Sequence, residues 1–379
     1  MSILIFIIIL LVLVLVHEAG HFFTAKSFGI RVDEFGFGFP PKIFSFKKGE
    51  TEYSLNLLPL GGFVKIFGES VDEVDTLEVG FLDKKETPEK MELAKRSLAH
   101  KPKWQQALVL VAGIVANFLL AWLLFSLSFM SGFPTSVGSE IAVKELSDVN
   151  LVVTSVLQES PAEKAGLKTG DKIIGIKNSN DSTTDVSPEA VISFVVESNG
   201  EEIIIEYTRG KNTEINTTKV VPVIDQADGR AKIGISMDQI GTVKLPVFMA
   251  FWEGLRLDWF MTKGTVIGLY TLVKEGIQGN GSLDAVIGPV GLVGIVGDAY
   301  EFGFIYLMSF ATLISINLAI INLLPFPALD GGRLLFLLIE KMKGSRINPK
   351  IANTVNAMGF YLLILLMLVI TYHDVVKLF

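Results

Sequence analysis

The stretch His17-Glu18-Ala19-Gly20-His21 decides how this chain is read. It follows an apolar run, Ile3 to Val16, that contains no polar residue. Ionisable groups inside a membrane cost free energy, so those at the end of such a helix are functional candidates. Positions i and i+4 share one helix face, so both imidazoles can reach one ion, and zinc suits such a pair. Glu18 lies about 100° further round the helix. It is near the ion without having to bind it, where it can act as a base on an attacking water. The alternative for Glu18 is a helix-end carboxylate paired with a lysine such as Lys26.

A membrane-spanning helix needs about 20 largely apolar residues. To reach that length the first span, about Ile3 to Phe23, must include the motif, which puts the metal site inside the membrane near one end. No Lys or Arg precedes the run and no small-residue cleavage site follows it. A retained transmembrane helix is therefore expected rather than a signal peptide.

Composition sets the frame. The chain has 379 residues, half of them hydrophobic, and its mean hydropathy is positive. It is too apolar for a soluble protein and too interrupted for an all-membrane one, so several spans plus a soluble domain of about 100 residues are expected. The net charge is −7 and there is no basic tract, so nothing points to nucleic acid. The absence of cysteine excludes disulfides, iron–sulfur clusters and cysteine zinc sites. Of the four histidines, two are in the motif; His100 and His373 follow polar or terminal segments and are poor ligand candidates.

The expected fold class is a polytopic α-helical membrane protein of about four transmembrane helices, with a membrane-associated β-hairpin and one α+β domain. Residues 1–25 form the first transmembrane helix. Residues 26–103 are a polar connection holding the hairpin: Tyr53, Leu55 and Leu57 alternate, Pro59 and Gly61-Gly62 turn, and Phe63 to Phe67 return. It is either a small packed hairpin or a sheet edge dipping toward the membrane beside the metal. The acidic stretch 69–92 reads as a solvated loop with a weak helix. Residues 104–132 form the second span, where Gly113 and Asn117 share a face; they serve helix packing or catalysis.

Residues 135–240 change character to short β-rich runs with one helical stretch, Pro188 to Glu197, a soluble α+β domain of the size of a small peptide-binding module. Residues 246–303 hold an amphipathic interfacial helix, the alternative being a poorly formed span, and then a glycine-rich loop or broken helix over 287–303. Residues 304–332 form the third span, broken by Pro325 and Pro327. Irregular backbone at membrane depth must be buried in protein or line a wet cavity, which places Asp330 at a hydrated spot. Residues 333–353 read as a loop and 354–372 as the fourth span.

Basic residues crowd 333–350 and precede the second span. By the positive-inside rule those connections are cytoplasmic and the 135–240 domain is outside. His21 and Asp330 then fall at cytoplasmic span ends, at one depth, which makes Asp330 the best candidate for a third ligand with one zinc position left open. A peptide bond in a helix is shielded, so a substrate must be held extended, for instance by strand addition to the hairpin around 51–67. Asn322 could hold that backbone or a developing oxyanion with its amide; the alternative is a helix-to-helix hydrogen bond.

These residues resemble the site-2 protease family of intramembrane zinc metalloproteases, the bacterial regulator-of-sigma-factor protease type with a single PDZ domain. His17-Glu18-x-x-His21 looks like its catalytic motif. Asn322 to Gly331, NLLPFPALDG, looks like its second signature. Gly61-Gly62-Phe63-Val64-Lys65 is similar to its membrane-associated β-loop, and Ser160 to Asp171 resembles its PDZ segment. The resemblance implies Zn2+ as cofactor, with His17, His21 and Asp330 as ligands and Glu18 as the catalytic residue. It implies substrate binding by Asn322, Gly61, Gly62, Phe63 and Asn117.

It further implies a multi-pass protein of the cell inner (plasma) membrane, surrounded by lipid, with an extracytoplasmic PDZ domain and an active site near the cytoplasmic face. The implied substrate is a single-span membrane protein already trimmed by an upstream protease, an anti-sigma factor or a remnant signal peptide; no nucleic acid is involved. Two departures stand out: Ile114 where the family usually has Pro, and Arg333 where His is frequent. Competing classes are a catalytically silent PDZ-containing scaffold and a metal carrier. Glu18 argues against both, since a scaffold has no need of it and a carrier would use it as a ligand.

Overall fold

The computed structural model describes residues 1–69, 88–139, 146–179, 181–184, 186–210, 214–225, 229–279, 281 and 286–377. Two compact units emerge. The first comprises residues 1–124, 255–296 and 310–379; the second comprises 125–254 and 297–309.

Among the described residues, four helices are long and apolar enough to cross a membrane: α1 (Ser2–Ser27), α3 (Lys103–Ser131), α8 (Phe304–Leu323) and most of α10 (Pro349–Val376). Each matches an expected span. A short helix, α2 (Pro88–Lys95), precedes α3; the rest of the acidic stretch, 70–87, lies outside the described residues.

The hairpin expected over 51–67 is replaced by a larger sheet. Two long strands, β1 (Val32–Lys48) and β2 (Thr51–Ile66), pair along most of their length. Residues 34–37 of β1 are flanked on both sides: Phe35 pairs with Val64 on one side and with Tyr53 on the other. The arms 51–56 and 62–66 thus do not pair with each other, because Val32 to Phe37 lies between them. The alternating Phe35, Phe37 and Phe39 carried this strand in the sequence. Residues 62–66 form one edge of the sheet, and among the described residues no strand pairs with their outer side.

Two further segments differ from expectation. The glycine-rich run is a helix, α7 (Pro289–Phe302), and the basic loop is another, α9 (Asp330–Lys343), whose charges sit on one face of an amphipathic helix. The start of α7 is held by Asp374 near the end of α10. Its carboxylate accepts from the Gly288 amide (3.1 Å) and the Gly291 amide (2.9 Å). A Cβ at Gly288 would meet the Ile370 side chain at 2.6 Å and the carboxylate at 2.7 Å, so glycine is required for this approach. Asp374 is buried. Asp374→Ala strands two amides and should cost about 2 kcal/mol, seen as a lower unfolding midpoint in detergent.

Helix α6 (Val247–Ile277) is continuous, with exposed Phe248, Trp252, Trp259 and Tyr270, and is not among the four apolar helices. It buries one carboxylate, Asp258, whose Oδ1 has no hydrogen-bond partner among the described residues. Burial pushes its pKa up from 3.8 to about 6. Above that value the folded chain holds a charge that the unfolded chain hydrates freely, so the penalty is complete at neutral pH. It fades as pH falls through about 6 toward the ordinary 3.8. Asp258→Asn should therefore raise the unfolding midpoint at pH 7.5, and scanning fluorimetry should show the gain vanishing by about pH 4.

The second unit contains the α+β domain. Its main sheet runs in the order β3 (Phe133–Ser136), β11 (Ile235–Val243), β4 (Ser147–Val156), β5 (Lys172–Lys177), β7 (Ile203–Thr208), β8 (Asn216–Val220), with the short β6 (Ser182–Thr183) on β5. A separate pair joins β9 (Val223–Ile224) and β10 (Ala231–Lys232). Strand β7 shows why these residues form a sheet: Ile203, Ile205 and Tyr207 are buried and their neighbours are not. Helix α5 (Pro188–Glu197) starts where the Ser187 hydroxyl accepts from the Ala190 amide and Pro188 fits the first turn. It buries Val191, Phe194 and Val195 on the same core as Leu151 and Ile176. A short helical turn, α4 (Pro161–Lys164), is capped in the same way by Ser160. The expected boundaries, 135–240, fall within three residues of the first and last strands.

Candidate metal centre

The site is built from α1, α3 and the start of α9. His17 and His21 lie one turn apart on α1, and both are 6% exposed. Helix α3 packs against this face with a row of residues four apart: Val109, Gly113 and Asn117. The His21 Nδ1–H donates to the Val109 carbonyl (2.8 Å). A Cβ at Gly113 would fall 2.3 Å from His21 Nε2 and 2.9 Å from His17 Cε1. The missing side chain is thus the space that the two rings occupy. One turn further, the Asn117 amide sits 3.2 Å from His17 Nδ1, while its backbone carbonyl accepts from the Ser315 hydroxyl. The Asn117 oxygen is otherwise buried without a partner. An amide presents oxygen or nitrogen by a half-turn, and with oxygen on the His17 Nδ1–H that orphan is satisfied.

Gly20, in the middle of the motif, lets the helices touch. Its Cβ would meet the Ala112 carbonyl oxygen at 2.4 Å. The backbone of α1 therefore lies against that of α3 at the level of the ligands.

Asp330 arrives through the broken end of α8. After Leu323 the chain turns through Pro325 and Pro327, with Ala328 at φ 72°, and α9 begins at Asp330. The turn is supported from α10: the Ala328 amide donates to Asn356 (3.3 Å), and a Cβ at Gly359 would meet the Pro327 carbonyl oxygen at 2.7 Å. Gly331 and Gly332 have the carbonyls of Leu323, Leu324 and Phe326 where side chains would stand. The motif's glycines therefore let α9 start tight against the turn, which aims Asp330 at the histidines.

His17 Nε2 and His21 Nε2 are 3.2 Å apart, and Asp330 Oδ2 is 3.1 Å from the first and 3.3 Å from the second. These are the three residues that converge as a metal-ligand group among the described residues. Both Nδ1 atoms are committed to α3, so both Nε2 lone pairs face inward. Asp330 Oδ2 is buried with no hydrogen-bond donor. Three lone-pair atoms gathered in a buried place need a cation. Tetrahedral zinc with bonds of about 2.0–2.1 Å holds its ligand atoms about 3.3 Å apart. The residues fit a zinc ion and leave a fourth position open.

Glu18 is partly exposed beside this group. Its electrostatic neighbours are His17, His21, Asp330 and Arg333. It is not paired with Lys26, which donates to Glu50 at 2.5 Å. The edge strand 62–66 lies over it: a Cβ at Gly62 would stand 3.2 Å from Glu18 Cγ and 2.8 Å from Val14. Gly61 (φ 137°) precedes this contact, and the Phe63 ring covers Gly36 on the neighbouring strand.

Asn322 is half-buried at the end of α8, on the approach to the turn. Asn117 differs from the expected substrate contact: it is 0% exposed and faces His17. His100 and His373 do not join the ligand group. Sequence reasoning missed Val109, which acts through its backbone, and the pairing of Arg333 with Glu69. For Val109 the only signal was its place four residues before Gly113.

Known proteins bear on this arrangement. Zinc metalloprotease RasP of Geobacillus kaustophilus is 31% identical and aligns over 100% of this chain and 98% of its own. A relative named as a zinc metalloprotease in Clostridium perfringens is 33% identical over 96% of this chain and 95% of its own. Another so named, in Fusobacterium nucleatum, is 31% identical over the full length of both. A solved PDZ domain of an SdrC-like protein from Listeria monocytogenes aligns with 26% of this chain and 93% of that one, at 22% identity and a TM-score of 0.19. Residues 5–366 match the description peptidase family M50, which takes in every residue of the candidate centre. The chain belongs to peptidase family M50.

Proposed function

We propose that this chain is a membrane-embedded zinc endopeptidase that hydrolyses a peptide bond within the transmembrane segment of a single-span protein. The observation that carries the reading is the convergence of His17 Nε2, His21 Nε2 and Asp330 Oδ2 within 3.3 Å, with Glu18 beside them. The family and the names of the relatives support zinc and protease activity.

His17, His21 and Asp330 would hold the ion. Zinc, when bound, polarises the scissile carbonyl and makes water acidic enough to lose a proton near neutral pH. Glu18, beside the ligands, would accept a proton from the attacking water and deliver it to the leaving nitrogen. Val109 and Asn117 keep each imidazole oriented with Nε2 inward. The open edge Gly62–Ile66 receives the substrate as an added strand, which unwinds the segment and brings it past Glu18. Gly61, Gly62 and Phe63 belong to that track, and glycine at 62 lets the added strand lie close to the carboxylate. Asn322 offers its amide to the substrate backbone or to the carbonyl oxygen as charge develops on it. Asn117 acts behind the ligand.

The substrate is a single-span protein trimmed beforehand by another protease, an anti-sigma factor or a remnant signal peptide. The residue 135–240 module is a PDZ domain outside the cytoplasm that reads or filters substrates. The protein is multi-pass in the cell inner membrane, with its active site near the cytoplasmic face; the basic residues of 333–350 and those before α3 support this orientation.

The test uses purified chain in detergent with a single-span substrate. Expected are one zinc per chain and a cut inside the span, located by mass spectrometry, that stops on chelation and returns with zinc. A cut confined to the soluble flank, or cleavage that survives complete removal of metal, would overturn the reading.

A further inference from the structure

Arg333 is one of the two places where the sequence departs from the family's pattern, and the chemistry proposed above gives it no task. It stands three residues after Asp330 in the first turn of α9, so it lies on the helix face next to the ligand. Its guanidinium pairs with Glu69, and it is an electrostatic neighbour of Glu18. The Glu69 side chain is only 20% exposed, so water and salt screen this pair less than one on the open surface.

Glu69 lies three residues beyond Ile66, the last residue of β2 and of the edge strand. One face of that strand rests on α1 and α3. Gly62 stands over Glu18, and Val64 and Ile66 join the cluster of Ala25, Ile30 and Val109. Just past the strand, the chain is fastened to the segment before α3. The Leu98 amide donates to the Phe67 carbonyl (2.9 Å), and a Cβ at Gly68 would stand where the Ser97 hydroxyl is. These contacts tie the strand to α1, α3 and the approach to α3. The Glu69–Arg333 pair ties it to α9, the helix that brings the third ligand.

We propose that Arg333, through its pair with Glu69, is a positioning residue that holds the substrate-receiving strand in register with the metal centre. The inference rests on the protease reading above and on strand addition along Gly62–Ile66. An added strand takes its register from the edge it joins. Hydrolysis needs the scissile carbonyl aligned with the ligands and Glu18, and a displacement of about 1 Å costs about 10²-fold. The strand carries the substrate and α9 carries Asp330, and the ion pair fixes one against the other. Arginine suits this link: it is long, it stays charged, and its fork of donors matches a carboxylate.

The experiment uses the full chain with zinc in detergent and a single-span substrate, with cuts located by mass spectrometry. Arg333→Gln and Glu69→Gln should each lower kcat about tenfold with zinc content unchanged. Each should also move part of the cutting to bonds two residues from the wild-type site. A slip of one residue would turn every side chain of the added strand to the other face, so a slip of two is expected. The double variant Arg333→Gln, Glu69→Gln should be no worse than either single variant. A wild-type cut pattern in either single variant overturns the proposal, as does a double variant in which the two losses multiply. Loss of zinc from Arg333→Gln also overturns it, since the residue would then serve the ligands and not the register.

A second measurement does not depend on turnover. The chain has no cysteine, so Lys65→Cys in a Glu18→Gln background supplies a unique thiol on the edge strand. With single-cysteine substrates and mild oxidation it should form a disulfide chiefly at one substrate position. Adding Arg333→Gln should spread the crosslink to positions two residues away. An identical crosslink pattern with and without Arg333→Gln overturns the proposal. Failure of the protease reading would look different, since the wild-type chain would then cut no substrate within its span.

Discussion

Glu18→Gln should keep one zinc per chain and lower the cleavage rate about 10²–10⁴-fold. The two halves of this result have separate causes. Zinc stays because the ligand atoms belong to His17, His21 and Asp330, and glutamine has the size and shape of glutamate. Cleavage falls because a neutral amide cannot accept the proton of the attacking water. The backbone should not shift, since Gly62 already stands against the Glu18 stem and that stem is retained. Metal analysis of the purified variant together with a cleavage assay decides the matter. Unchanged cleavage would remove Glu18 from the chemistry, and loss of zinc would make it a ligand.

Gly113→Ala should weaken zinc binding about 10–100-fold, a loss typical of disturbing the groups behind metal ligands. One methyl group is a small change, but here it lands 2.3 Å from His21 Nε2. The ring cannot swing aside without giving up the Val109 carbonyl. Helix α3 cannot retreat without opening the contact between Gly20 and Ala112 one residue away. The strain must therefore appear at the ligands. Competition with a chelating dye measures it, and circular dichroism should show the helices intact. Wild-type affinity in this variant would mean that the space above the imidazoles is not needed.

The parts of the centre that were legible in the sequence carry their chemistry in their spacing. Two histidines four apart with a glutamate between them require a helix, and a proline-broken span ending in Leu-Asp-Gly requires an irregular end. The four spans and the strands of the α+β domain were legible for a similar reason, since apolar length and alternation are local. The sheet beside Glu18 was not. Leu-Pro-Leu-Gly-Gly has the composition of a tight turn, yet the arms on either side of it are separated by Val32 to Phe37, whose pairing is a long-range matter. Helix α7 was hidden because its glycines look like breakers. Gly288 just before the helix instead admits the Asp374 carboxylate and the wall of α10, and Gly291 donates its amide to the same carboxylate. Asn117 was legible as a residue and not as a role, because its neighbour His17 is 100 residues away in sequence.

The backbone contact at Gly20 has a thermodynamic consequence. In small zinc domains the ligands are scattered until the ion gathers them, and the binding energy of the metal is consumed in folding. Here α1 and α3 are fastened to each other at Ala112, and each imidazole is anchored from behind. Little entropy remains to be lost when the ion enters. Stripping the metal should leave the scaffold standing, so that zinc exchanges in and out of a finished cage.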